Sequence, residues 1–293
     1  MSVHKKGRRV PQEAFCPGAA IRAWRPFLAA SLLVAVTLGL IVPSPARAEL
    51  SAEELAKLAQ NPIANLISVP FQNNTNFNYG PLEGTQNILN IQPVIPITLN
   101  RDWNLITRTI LPLIRQPELS PAQDSTFGLG DTQISAFLSP SNASGWIWGV
   151  GAIAQLPTHS DSSLGNNNVG LGPTAVALHL ERGDPWVYGM LINNVWAIET
   201  GNTPYYNNGL IQPFVNYNFK GGTYLNTAPI ITVDWTADSA DRWTVPLGAG
   251  VGHIFHLGKL PVNAQVGAYY NVVKPEFGPD WQLRAQVQLM FPK

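Results

Sequence analysis

Few residues in this chain are equipped for bond-making chemistry. His159-Ser160-Asp161 places a base, a hydroxyl nucleophile and a carboxylate in one run. Such groups carry out acyl transfer only when they converge in space, and neighbours in an extended loop point apart. The run sits in a stretch rich in Ser, Asn and Gly, so it reads as loop, and no catalytic residue is assigned. His179, His253 and His256 have no cluster of ligands around them. His253 and His256 are three apart, which puts them on opposite faces of a strand, so no metal site is expected. Gly128-Leu129-Gly130 and the glycine-rich run 248–252 lack the Lys-Ser/Thr and the following helix of a phosphate loop. Small residues there suit curvature or close approach inside a barrel. No cofactor is implied.

A second set carries charge and hydrogen-bonding capacity instead: Arg108, Asp131, Gln133, Gln155, Asp234, Arg284 and Gln286. Lining a membrane pore, such groups set selectivity. Filling a closed interior, they form a satisfied polar network. Both roles require the same thing, a wall that turns these side chains inward.

The last strand shows how that wall is written. From Trp281 to Phe291, Trp281, Leu283, Ala285, Val287, Leu289 and Phe291 share one face, while Gln282, Arg284, Gln286 and Gln288 share the other; Met290 alone breaks the pattern. A period of two means a β-strand. The span matches the ~9–11 residues that cross a bilayer as a tilted strand. One face suits lipid and the other water, and a closed barrel supplies a partner for each edge. About twelve such strands are predicted, at 66–76, 86–99, 103–114, 127–138, 146–156, 169–181, 186–198, 209–219, 223–235, 242–256, 260–273 and 281–291. Seven prolines (Pro93, Pro96, Pro112, Pro173, Pro213, Pro229 and Pro246) fall inside these limits. Proline removes a ladder donor, so bulges or shorter strands are expected there.

The connections alternate in length. Asn100–Asp102, Arg182–Pro185, Lys220–Gly222 and Leu257–Lys259 are short and rich in turn formers, whereas Phe77–Thr85, Arg115–Thr126, Pro157–Asn168 and Glu199–Asn208 are longer. Short periplasmic turns, longer outer loops and both termini on the periplasmic side make an outer-membrane barrel, and a soluble β-sandwich has no reason to alternate this way. Trp103, Trp146 and Trp186 follow short connections; Trp196, Trp235, Trp243 and Trp281 lie near long ones. Two aromatic girdles at the membrane interfaces are the expected meaning.

Ahead of the strands lie two other segments. Residues 1–48 read as a secretory signal: a basic n-region with Lys5, Lys6, Arg8, Arg9, Arg22 and Arg25, an apolar run Phe27–Val42, and cleavage after Ala46-Arg47-Ala48. The alternative, a retained anchor, would need a longer apolar run. Cys16 lies before the apolar run and is lost on cleavage, so no disulfide is expected. The signal takes seven of the 18 Lys+Arg and one of the 18 Asp+Glu, leaving 11 and 17, a net charge of −6. That balance excludes nucleic acid as a partner, which needs a basic patch. Residues 49–65 predict a short helix, periplasmic or plugging the lumen, capped by Ser51 with Glu54 three residues on. Residues 66–293 form the barrel.

The stretch 55–77, LAKLAQNPIANLISVPFQNNTNF, resembles the opening of a bacterial family of outer-membrane proteins of the phenol-degradation (meta-pathway) type, often labelled transporters. The resemblance continues through Asn87–Pro96 and Pro185–Trp196. It implies a barrel and a role in uptake of small compounds, aromatic ones among them, and it supplies no catalytic residues. The expectation is thus an all-β, transmembrane antiparallel barrel in the outer membrane that passes small, hydrophobic or aromatic solutes passively, with lipid and solute as its partners. The competing readings are an outer-membrane enzyme of the lipid hydrolase type and a structural or adhesive barrel.

Overall fold

The computed structural model describes residues 50–143, 145–198 and 205–292. The signal sequence and its cleavage site lie outside the described residues. Within them the chain is all-β apart from one helix, and the strands close into a twelve-stranded antiparallel barrel. Among the described residues no helix is long and apolar enough to cross a membrane, which says nothing of crossing by strands.

The segments in chain order are α1 (Ala52–Gln60), β1 (Ile67–Tyr79), β2 (Gly84–Ile91), β3 (Val94–Thr98), β4 (Trp103–Gln116), β5 (Thr126–Leu129), β6 (Thr132–Pro140), β7 (Gly145–Leu156), β8 (Gly170–Leu180), β9 (Trp186–Ala197), β10 (Asn207–Asn218), β11 (Thr223–Thr227), β12 (Ile231–Asp234), β13 (Trp243–Leu257), β14 (Leu260–Val273) and β15 (Trp281–Phe291). Three staves are each split in two: β2 with β3, β5 with β6, and β11 with β12. Every stave therefore pairs on both sides. The closing seam runs unbroken from Ile67 opposite Phe291 to Phe77 opposite Trp281. Closure removes the open edges that would otherwise leave backbone donors and acceptors unpaired in an apolar medium.

Prolines explain the splits. Pro93 stands in the β2–β3 break and Pro229 in the β11–β12 break. Pro213 falls in the gap between the Ile211–Ile231 and Val215–Thr227 pairs, directly across from Pro229, so neither strand has a donor to offer there. Pro112 faces the β5–β6 break, where its carbonyl accepts from the Gly130 amide at 2.8 Å. Pro246 marks a register shift against β14. The β8–β9 ladder skips Pro173, and Pro96 lies beyond the single pair, Val94 with Ser68, that joins β3 to β1. The unbroken strands expected at 86–99, 127–138 and 223–235 are corrected accordingly. So is the long connection expected at Phe77–Thr85: β1 runs to Tyr79, with positive φ at Asn78 near its end, and a tight turn follows, with positive φ at Gly80 and Glu83.

Side chains sort by parity. In β15, Trp281, Leu283, Val287 and Phe291 are exposed outward, and Arg284, Gln288 and Met290 are buried inward. In β1, Ser68, Gln72, Asn74 and Asn76 are buried, so the inner wall is built largely of amides. At the rim shared by the termini, Trp103 and Trp148 pack edge to face at 6.0 Å; at the opposite rim, Trp235 and Trp243 do so at 5.7 Å.

The segment from Leu50 to Leu66 lies within the bore at the end where the chain enters. Ser51 and Glu54 complete a reciprocal capping box, which satisfies the first amides of α1. On one side Leu55 and Ala56 bury against Tyr224, Ile254 and Met290, all on inward faces. On the other, Ile63 packs among Val94, Ile106, Phe137 and Val176. Gln60 and Asn218 exchange amide hydrogen bonds at 2.8 and 3.1 Å, and Lys57 donates to the Glu181 carbonyl. The segment thus packs against the wall on both sides of the bore.

Candidate functional site

Among the described residues, two chambers inside the barrel hold the predicted set except Asp131. The lower one, next to α1, has a volume of about 150 Å³. Its floor is Leu58, Gln60 and Pro62; its walls include Gln72, Gln92, Arg108, Phe214, Arg284 and Gln286. The upper one, toward the long loops, is a vestibule of about 520 Å³ lined by Gln133, Gln155, Asn193, Asp234, Asp241 and Arg242. Arg108, Arg284 and Gln286 thus belong to the lower chamber, and Gln133, Gln155 and Asp234 to the upper. Asp131 sits at the β5–β6 break beside the upper chamber, bonded to Gln155.

Arg284 is 3% exposed and its partners are all neutral. It donates to Asn74 Oδ1 at 3.2 Å, to the Ala228 carbonyl at 2.8 Å and to Gln282 Oε1 at 2.9 Å. The Tyr269 ring lies 4.5 Å from the guanidinium carbon, close enough for a cation–π contact. Ala228 ends in the β11–β12 break, so its carbonyl has no ladder partner, and Arg284 reaches across β13 and β14 to supply one. Arg108 donates one bond to Gln92. Among the described residues neither guanidinium has a carboxylate partner, and no carboxylate lines the lower chamber.

The upper rim is shaped by the loop between β7 and β8, which folds over the inner side of β5. Asp131 anchors it: His159 Nδ1 lies 2.6 Å from Oδ1, and the Asn166 amide donates to Oδ2 at 2.6 Å. Gly128 and Gly130 make room, because a Cβ at Gly128 would overlap Ser160 Oγ and one at Gly130 would press on Ile114 and Pro112. The run His159-Ser160-Asp161 does not converge. Ser160 Oγ accepts from the Leu129 amide, while Asp161 binds the Ser163 amide and hydroxyl. Those two bonds hold the Asp161 carboxyl below the usual carboxylate range. Across the mouth, Asp280 is likewise held low, by Lys274 at 2.8 Å and by Asn78.

Sequence reasoning missed His159 as the partner of Asp131, Gln92 as that of Arg108, and Asn74 and Tyr269 around Arg284. The amides of β1 were legible by parity alone, since Ser68, Gln72, Asn74 and Asn76 share the face that pairs with Arg284. No group of three or more potential metal ligands occurs among the described residues.

No protein-family model matches this chain, and no curated protein does. Among solved structures the chain is similar to an outer membrane channel from Pseudomonas putida F1, with 19% identity and a TM-score of 0.58 over 77% of this chain and 94% of that one. It is also similar to the NanC porin, with 10% identity and a TM-score of 0.48 over 78% of this chain and 100% of that one. A third is the outer membrane phospholipase A of Escherichia coli, with 13% identity and a TM-score of 0.42 over 83% of this chain and 99% of that one. At these identities the likeness shows the barrel fold alone, and the two lower scores carry no further weight.

Proposed function

We propose that the protein is an outer-membrane channel through which small solutes pass down their gradient, hydrophobic and aromatic compounds among them. One observation carries this reading: a closed barrel whose outward face is apolar between two tryptophan rims, while its interior is lined by amides and arginines around two chambers. Amphipathic rims and an apolar belt suit a bilayer. A polar, chambered interior suits solute passage. The similarity to the Pseudomonas putida F1 outer membrane channel is consistent with it, as is the resemblance of the opening stretch to a transporter family. Cleavage after Ala48 and export to the outer membrane belong to the same proposal. The mature protein, reconstituted in liposomes, is expected to admit small neutral and anionic solutes in a swelling assay. Vesicles that swell no faster than protein-free ones would overturn the channel reading.

A further inference from the structure

We infer that the lower chamber binds a small organic anion, a carboxylate carried on an apolar body; this rests on the channel reading for its purpose but not for its chemistry. Arg108 and Arg284 line one space, and no carboxylate answers either of them among the described residues. A buried charge without a counter-charge is costly, so an anion entering the chamber gains what the protein leaves unbalanced.

The two arginines differ in freedom. Arg284 is locked by three neutral acceptors and the Tyr269 ring, so it contributes a fixed field. Arg108 donates one bond, to Gln92, and a guanidinium carries five donors in a planar fork. That fork matches a carboxylate in bidentate geometry. Opposite it, Leu191 and Phe214 give the chamber an apolar wall. Its volume, about 150 Å³, is that of a cavity able to hold a single aromatic ring. A metal cation is repelled by this charge pattern. An apolar wall also favours a ligand with one charged end over a compact, fully hydrated ion.

Benzoate and its neutral counterpart benzyl alcohol are suitable probes. In titration calorimetry of the intact, detergent-solubilised protein, benzoate is expected to bind, and benzyl alcohol to bind at least about tenfold more weakly. Arg108→Gln should weaken benzoate by about tenfold or more and leave benzyl alcohol unchanged. Arg108→Lys, which keeps the charge but loses the fork, should fall between. Equal binding of the two probes, no benzoate binding, or benzoate binding that survives Arg108→Gln would overturn the site. Should Arg108→Gln fail to fold, the comparison of the two probes on the unaltered protein decides alone. Calorimetry needs no conduction. Benzoate binding without vesicle swelling would sink the channel and keep the site, and swelling without benzoate binding would do the reverse.

Discussion

Deleting residues 50–65 is expected to raise single-channel conductance several-fold in planar bilayers while the barrel stays folded. The segment crosses the bore. Leu55 and Ala56 bury on the Tyr224–Met290 side, Ile63 on the Ile106–Phe137 side, and Gln60 is tied to Asn218 between them. Its residues floor the lower chamber, so removing them joins that chamber to the entry end. The wall does not depend on it: each stave has ladder partners on both sides without α1. Burial of Leu55 is worth only about 2–3 kcal/mol, a modest loss for a closed barrel. Retention of the compact band on unheated gels would report folding. Unchanged conductance in a folded deletion variant would mean that the segment does not set the bore.

The second large effect is on stability. Gly151→Ala should destabilise the barrel by about 3 kcal/mol, the upper range for forcing atoms into a filled space. Gly151 faces inward on β7, and a Cβ there would overlap the Ala136 carbonyl of β6. The obstacle is backbone on a hydrogen-bonded neighbour, so no side-chain rotation relieves it. The next residue supplies the control. Ala152 faces outward and is exposed, so Ala152→Val should change stability by no more than about 0.5 kcal/mol. Guanidinium unfolding followed by tryptophan fluorescence compares the two. Equal midpoints for Gly151→Ala and the unaltered protein would show that the strands have room to part.

Much of this architecture is legible in the residues alone. Strand parity is a local property: the apolar face of β15 can be read from eleven consecutive residues, and so can the inward position of Arg284 and Gln286. The helix was legible for the same reason, because Ser51 and Glu54 announce its cap within one turn. What escaped depends on registers between strands. Pro213 and Pro229 read separately as two anomalies; only the register makes them one gap. The role of Asp131 depends on His159, 28 residues away in a loop that folds inward, and no periodicity encodes that return. The neutral shell around Arg284 draws on β1, the β11–β12 break and β14 as well as its own strand, so parity shows a charge facing inward but not that no carboxylate among the described residues balances it.

The central claim is that one face of each strand meets water in a conducting bore and the other meets lipid. Adjacent residues of β15 test it most directly. Gln286 lines the lower chamber, and Val287 points outward, 45% exposed. The only cysteine, Cys16, lies in the segment assigned to the signal, so a mature chain can carry a single engineered thiol. A charged, membrane-impermeant thiol reagent added during planar-bilayer recording should reduce the current through Gln286→Cys and leave that through Val287→Cys unchanged. Block at Val287→Cys with none at Gln286→Cys, or no current through either, would contradict the account.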